Sequence, residues 1–215
     1  MGTVWRLMLR ELVNQEWKVW LFLPLPLLLF GGLLHSRLEV SPFTIAIALT
    51  AFCVMQANLH RRMARRSDGA AGRLASDRPT DGREASGREK LLAIYAMTFV
   101  WFVLAAIICN AAWAVYALVV GGGFRLSGPE ELTTALAALL AATGISLPLR
   151  CWLGDRASVL VSVLFVTGIW SAADIARAVP DALVRSPLPL LAAGAIVFAL
   201  SWWPAYLGLR RTSGA

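Results

Sequence analysis

The sequence predicts an all-α integral membrane protein: six transmembrane helices preceded by an amphipathic, interfacial N-terminal helix. Three observations predict it. Of 215 residues, 58% are hydrophobic and only 15% are charged, against about 45–50% and about 25% in ordinary soluble domains. Apolar runs approaching or exceeding the roughly 20 residues that cross a bilayer recur six times along the chain. The basic residues gather in alternate connections between those runs, as the positive-inside rule requires. The mean hydropathy is +0.66. Six spans leave little chain for a soluble domain, so residues 1–215 read as one membrane domain. A water-soluble enzyme, a collagen-like chain, a disulfide scaffold and a disordered chain are all excluded by these numbers.

Residues 3–18 open the chain. Arg6, Arg10, Asn14 and Lys18 form a polar row at i+4 spacing, while Trp5, Leu9, Leu12, Val13 and Trp17 lie on another side. Such a helix lies in the headgroup plane with its apolar face in lipid. A secretory signal is the rival reading. The stretch is too polar for an h-region, and no small-residue cleavage site follows closely.

The first span covers about 19–34 and contains Pro24, Pro26, Gly31 and Gly32, which predict a kinked or broken helix. The second covers about 42–59. The third, 91–120, has no formal charge. Its length of about 45 Å exceeds a hydrocarbon core of about 30 Å, so it tilts or projects into water. The fourth is 132–149, with Gly144, Ser146 and Pro148 predicting a bent end. The fifth and sixth are about 158–179 and 188–209. Trp20, Trp101, Trp152, Trp202 and Trp203 fall near span ends, as interfacial anchors do.

Charge sets the orientation. With a cytoplasmic N-terminus, sixteen of the twenty Arg and Lys lie inside, and only Arg37, Arg125, Arg177 and Arg185 lie outside. Both termini are therefore expected in the cytoplasm, with the chain in the cell membrane as a multi-pass protein. The net charge of +7 follows from topology rather than from nucleic-acid binding, because the cations cap apolar runs. No nucleic-acid partner is expected.

The longest polar stretch is the loop 61–90, with nine basic residues and the acids Asp68, Asp77, Asp81, Glu84 and Glu89. It is too short to bury a core. Two readings stand: a solvated basic loop on anionic membrane lipid, or a docking segment for a cytoplasmic partner. The stretch 74–77, with Pro79 after it, can form one helical turn that a partner groove grips.

Catalytic constellations are missing. His35 and His60 cannot share a helix face, and no HExxH, GxSxG, GxGxxG or GxxxxGK[ST] occurs. Gly121, Gly122 and Gly123 lack the lysine and the strand–helix frame of a phosphate loop. Cys53, Cys109 and Cys151 form neither a CxxC nor a metal cluster and read as packing residues. No catalytic residue, metal site or cofactor is expected, and the chain is not expected to be an enzyme. Among polar residues in apolar stretches, Gln56 and Asn58 are expected to be hydrated at the end of the second span. Asn110, Asp174 and Arg177 are candidates for a translocation path. Their rival roles are an interhelical hydrogen bond for Asn110 and a structural ion pair for Asp174 and Arg177.

Two stretches carry a family resemblance. In 68–90, Gly72, Leu74, Pro79, Thr80, Arg83 and Lys90 match a coupling segment followed by Leu-Pro-x-[ST]-Arg and a lysine that opens the third span. In 145–161, Ser146, Leu147, Pro148, Gly154 and Arg156 match a second pattern. With the order of helices, these make the chain resemble the membrane subunit of ABC-2-type ATP-binding-cassette transporters. It is particularly similar to small six-span permeases that export cytolytic or antimicrobial peptides, such as phenol-soluble-modulin exporters. The sequence departs from the pattern at Arg78, where a leucine is usual, and at Asp81 and Gly82, which interrupt the run to the arginine. The resemblance implies a dimer of permease subunits, identical or related, each engaging a separate cytoplasmic ATPase subunit that binds ATP and Mg. Leu74, Ser76, Asp77, Arg78, Pro79, Thr80, Asp81 and Arg83 are then the ATPase-coupling residues. Export of amphipathic or antimicrobial peptides is the implied activity. The alternatives are a lipid or drug efflux permease, or a structural or immunity subunit that transports nothing.

Overall fold

The computed structural model describes residues 2–13, 42–69, 86–120, 126–153, 160 and 187–213. Nearly all of these are helical, and no strand occurs among them. The helices are α1 (Gly2–Val13), α2 (Pro42–Gly69), α3 (Gly87–Val120), α4 (Pro129–Leu153), α5 (Pro187–Leu200) and α6 (Trp202–Ser213). The expected first span, 19–34, most of the fifth, 158–179, and the coupling segment 74–83 lie outside the described residues. So does the part of the N-terminal helix beyond Val13.

Local chemistry explains where the helices begin. Ser86 caps α3 through a reciprocal pair of bonds. Its Oγ accepts the Glu89 N–H at 3.3 Å, and Glu89 Oε2 accepts the Ser86 N–H at 2.8 Å. At α4, Pro129 occupies the first helical position, where its missing N–H costs nothing. Glu131 Oε2 reaches back to the Gly128 N–H at 2.7 Å. α5 and α6 form nearly one helix. Bonds from Ser201 N to Val197 O (3.0 Å) and from Ala205 N to Ser201 O (3.1 Å) run through the junction. The break at Ser201 follows from Pro204, which has no N–H for the Leu200 carbonyl and crowds it. α4, by contrast, runs through Pro148 to Leu153.

Among the described residues, three helices are long and apolar enough to cross a membrane: α3, α4, and α5–α6 taken together from Pro187 to Arg211. The apolar part of α2, Phe43–Gln56, is shorter. α2 continues as helix to Gly69, so the first nine residues of the expected loop 61–90 are helical. α3 likewise starts four residues before the expected boundary at 91. With 34 residues it is about 51 Å long.

The contacts give the helix directions. α2 and α3 are antiparallel, since Phe43 meets Trp113, Thr50 meets Cys109 and Met55 meets Thr98. α2 and α4 are parallel, since Thr44 meets Glu131, Met55 meets Thr143 and Gln56 meets Arg150. α3 is antiparallel to α5–α6, with Phe99 on Phe198, Tyr95 on Trp202 and Arg88 on Tyr206. α4 and α5–α6 run parallel at very short range. A Cβ on Gly194 would meet Ala137 O at 2.6 Å, and one on Gly208 would meet Cys151 Cβ at 2.7 Å. Between them, a Cβ on Gly144 would meet the backbone of Val197 and Phe198 at 3.0 Å. Ala137, Gly144 and Cys151 recur every seven residues, one stripe along α4.

The core lies between α2, α3 and α4, around Ile47, Leu91, Met97, Trp101, Leu139 and Leu147. Trp101 is 2% exposed, so the expectation of an interfacial anchor fails there. α3 starts at Gly87, and fourteen residues carry Trp101 to mid-bundle. Trp152 and Trp203 are exposed, as anchors should be, whereas Trp202 packs against the core. α1 packs on α3 with Met8 and Leu12 against the core, leaving Trp5 and Leu9 outward. Cys109 is buried, Cys151 is half-buried and Cys53 is exposed, so only the first two serve as packing residues.

The close approach of α4 and α5–α6 predicts a steep response to one methyl group. Gly194→Ala should lower stability by about 1–3 kcal/mol, because the Ala137 carbonyl cannot yield without moving a backbone. Gly87→Ala, with nothing within 4 Å of the added Cβ, should be neutral or mildly stabilising. Thermal unfolding of the two variants in detergent distinguishes them, and equal midpoints would refute the seam.

Candidate functional site

The polar residues of the described bundle fall into three groups. The first is a buried column shared by α2, α3 and α4. Thr50 Oγ1 lies 3.6 Å from Cys109 Sγ. Met55 Sδ accepts from Thr143 at 3.5 Å and faces the Thr98 hydroxyl at 3.8 Å; Thr98 also reaches the Ile94 carbonyl at 3.3 Å. Ser146 Oγ donates to the Thr143 carbonyl at 3.3 Å. One turn further, Arg150 Nη1 donates to the Gln56 carbonyl at 3.2 Å. Arg150 is 3% exposed and Gln56 7% exposed. Neither amide atom of the Gln56 side chain has a hydrogen-bond partner. The expectation that Gln56 is hydrated is therefore corrected: α4 runs alongside α2 past this level and covers it. The Asn58 side chain lies outside the described set.

The second group is centred on Asn110. Its Nδ2 donates to Ala106 O at 2.7 Å and to Ser127 Oγ at 2.8 Å, and its Oδ1 accepts the Ser127 N–H at 2.9 Å. Asn110 thus clamps the segment that enters α4 to the middle of α3. Of its two candidate roles, the geometry is that of packing by hydrogen bonds between elements. The last ten residues of α3 run past this level, with Val115, Tyr116, Leu118 and Val119 exposed. Asp174 and Arg177, the other path candidates, lie outside the described residues, as do Leu74, Ser76, Asp77, Arg78, Pro79, Thr80, Asp81 and Arg83.

The third group lies at the end of the bundle where α3 begins and α4 and α6 finish. Arg88 and Arg210 stand over the ring of Tyr206, their guanidinium carbons 5.4 and 5.5 Å from its centre. Arg88 Nε also donates to the Tyr206 hydroxyl at 3.4 Å. Arg211 stacks on Trp152 at 4.4 Å, and the Trp152 indole N–H is held by Pro204 O at 2.9 Å. Such cation–ring contacts each contribute about 0.5–1 kcal/mol when exposed.

These groups offer little acid–base chemistry. The hydroxyls of the first group bond to sulfur or to backbone carbonyls. Among the described residues, no cluster of three His, Cys, Asp or Glu side chains could hold a metal ion. What the arrangement supplies is a buried cation beside an unpartnered amide, and an exposed cationic end rich in aromatic rings. Sequence reading missed both. The expected fourth span, 132–149, stops one residue short of Arg150, although its place directly after an apolar run was a usable signal. The pairing of Arg88 with Tyr206, 118 positions apart, left no signal.

Two substitutions test these assignments. Asn110→Ala removes three hydrogen bonds and strands the Ser127 N–H, so it should cost about 1–3 kcal/mol in thermal unfolding. Gln56→Leu removes a buried amide that has no partner and should leave stability equal or raise it by about 1 kcal/mol. A loss from Gln56→Leu larger than that from Asn110→Ala would reverse the ranking of the two sites. Against family models, curated proteins and solved structures, the chain finds no match.

Proposed function

We propose that this chain is the membrane-spanning subunit of an ATP-driven exporter of the ABC-2 type, working as a dimer with separate cytoplasmic ATPase subunits. The observation that carries the reading is the polarity of the helix bundle. α2, α4 and α5–α6 end, and α3 begins, on the side where the arginines accumulate. The segment 70–85 joins Gly69 of α2 to Ser86, the cap of α3, so it leaves and returns at that same end. That is where a cytoplasmic coupling loop belongs under the positive-inside rule.

The parallel course of α4 and α5–α6 supports an even number of spans. Leu153 and Pro187 stand at opposite ends of that pair, which a further crossing between them would account for. The apolar run 158–179 is the candidate for this crossing, and 19–34 supplies the sixth. Both termini then face the cytoplasm. The long α2, continuous from the apolar core to Gly69, is the rigid arm through which motion at 74–83 reaches the spans.

In this mechanism the chain itself carries out no chemical step. ATP binding by the partner favours one of two arrangements of the permease pair, and hydrolysis releases it. The coupling is the difference in ATP affinity between the two states. Asp174 and Arg177 are the residues proposed along the path, Asn110 being taken up by its bonds to Ala106 and Ser127, and amphipathic or antimicrobial peptides are the proposed cargo.

The test combines topology with crosslinking in the intact complex. Single cysteines at Ser76, Asp77, Thr80 and Arg83 in a Cys-free background should be shielded from impermeant thiol reagents outside the cell. They should crosslink to an ATP-hydrolysing partner, with yields that change when nucleotide is added. Labelling of these positions from outside, or a native assembly with no nucleotide-hydrolysing subunit, would overturn the proposal.

A further inference from the structure

Two neighbouring helices are softened at one level. In α4, Pro148 has no N–H for the Gly144 carbonyl, and in α6 Pro204 has none for the Leu200 carbonyl. Each proline follows a serine that bonds back onto its own helix. Ser146 Oγ donates to the Thr143 carbonyl at 3.3 Å, and Ser201 Oγ donates to the Phe198 carbonyl at 2.6 Å. Serine back-bonding and proline are both recurrent causes of helix bending. Between α5 and α6 the regular helix is interrupted at Ser201 itself. The pairs Ala137–Gly194 and Cys151–Gly208 share one register, which sets Pro148 opposite Ala205, beside Pro204.

What lies past the two prolines is joined into one piece. A Cβ on Gly208 would meet Cys151 Cβ at 2.7 Å and its carbonyl carbon at 3.0 Å, so the end of α4 touches α6 with no side chain between them. The Trp152 indole N–H is held by Pro204 O at 2.9 Å, and Arg211 lies on the Trp152 ring at 4.4 Å. α6 packs more extensively on α4 than on α3. On the α3 side, Tyr95 straddles the break and is only 6% exposed. Its ring lies 4.6 Å from that of Phe198 in α5 and 5.1 Å from that of Trp202 in α6, and its hydroxyl meets Ser201 between them. The Ser201 proton is committed to the Phe198 carbonyl, so the tyrosine hydroxyl donates and Ser201 Oγ accepts. A side chain of one helix thus splints the weak joint of another.

We infer that Ser201 to Pro204 is a hinge on which α6, carrying the last turn of α4 with it, swings away from α3, and that Tyr95 is the latch that holds it shut. A few residues at the end of an element absorb the change, as in other hinge motions. Pro148 lets the end of α4 follow. Arg150 ties that end to the Gln56 carbonyl of α2, and its long side chain lets the guanidinium stay on the carbonyl while the backbone shifts. Arg88, exposed at the start of α3, can follow the Tyr206 hydroxyl in the same way. Tyr95 has no such reach, because its buried ring is packed against both Phe198 and Trp202. Its bond to Ser201 belongs to the closed arrangement alone. The inference rests on the packing of the described helices and is independent of the exporter reading.

The test uses the full-length chain in lipid nanodiscs, with pairs of spin labels in a background where alanine replaces the three cysteines. Distances are measured from Leu92 of α3 to Leu207 of α6, to Leu153 of α4 and to Leu190 of α5, all of them exposed. Tyr95→Phe keeps the ring and loses the hydroxyl. It should raise the population with a longer Leu92–Leu207 distance about threefold, the effect of one hydrogen bond inside a membrane. The Leu92–Leu153 distance should lengthen in the same fraction of molecules, while Leu92–Leu190 keeps its distribution. Ser201→Ala should reproduce Tyr95→Phe, and the double variant should exceed neither, since both remove the same bond. Unchanged distributions in both single variants would overturn the latch. Equal broadening of all three distances would mean a loosened bundle and overturn the hinge. Lengthening to Leu207 without lengthening to Leu153 would overturn the joint movement of α6 and the end of α4. None of these readouts involves an ATPase, so their failure is separate from failure of the exporter reading.

Discussion

The described fold depends on how closely α4 and α5–α6 approach each other. Lipid tails are as apolar as leucine, so no hydrophobic force drives two spans together inside a bilayer. What remains is dispersion between surfaces that fit, and the fit is best where side chains are smallest. Gly194 lies against the Ala137 carbonyl, Gly144 against the backbone of Val197 and Phe198, and Gly208 against Cys151. The three contacts fix register and direction together. A parallel register brings Pro148 and Pro204, the two helix-disturbing residues, to similar levels. It also puts the basic ends of α4 and α6 side by side.

With that pair in place, polar groups tie in the other helices. Asn110 anchors the entry to α4 on α3. Met55 gathers hydroxyls from α3 and α4, and Tyr95 shares a hydrogen bond with Ser201 at the break between α5 and α6. Such bonds inside a membrane average about 0.6 kcal/mol each, so no single one holds the bundle. Their value lies in geometry, because each is satisfied in one register only. Gln56 is an exception, as is the buried indole N–H of Trp113. The Gln56 amide is buried without a partner next to Arg150, where the interior is most polar.

The bundle has two unlike ends. One carries Glu130 and Glu131 at the start of α4, with the Phe43–Trp113 ring pair nearby. The other carries arginines on three helices and the rings that hold them. For most of these charges the macrodipole and the bilayer ask for the same arrangement. Arg88 and Lys90, in the first turn of α3, are opposed by the macrodipole and satisfy only the bilayer.

The sequence by itself determined the class of this protein and its polarity. Composition calls for helices apolar enough to cross a membrane, and apolar runs place them at 91–120, 132–149 and 188–209 to within about four residues. The sign and position of the arginines distinguish the two ends. These features are local or additive, so one chain read linearly carries them. Gln56 and Trp101 were misplaced because burial depends on neighbours distant in sequence: α4 covers the first, and the centre of the bundle encloses the second. The seam through Gly144, Gly194 and Gly208, the clamp from Asn110 to Ser127 and the Arg88–Tyr206–Arg210 stack were likewise decided only by tertiary structure. Each joins positions whose chemistry becomes specific only when two helices fix the distance between them.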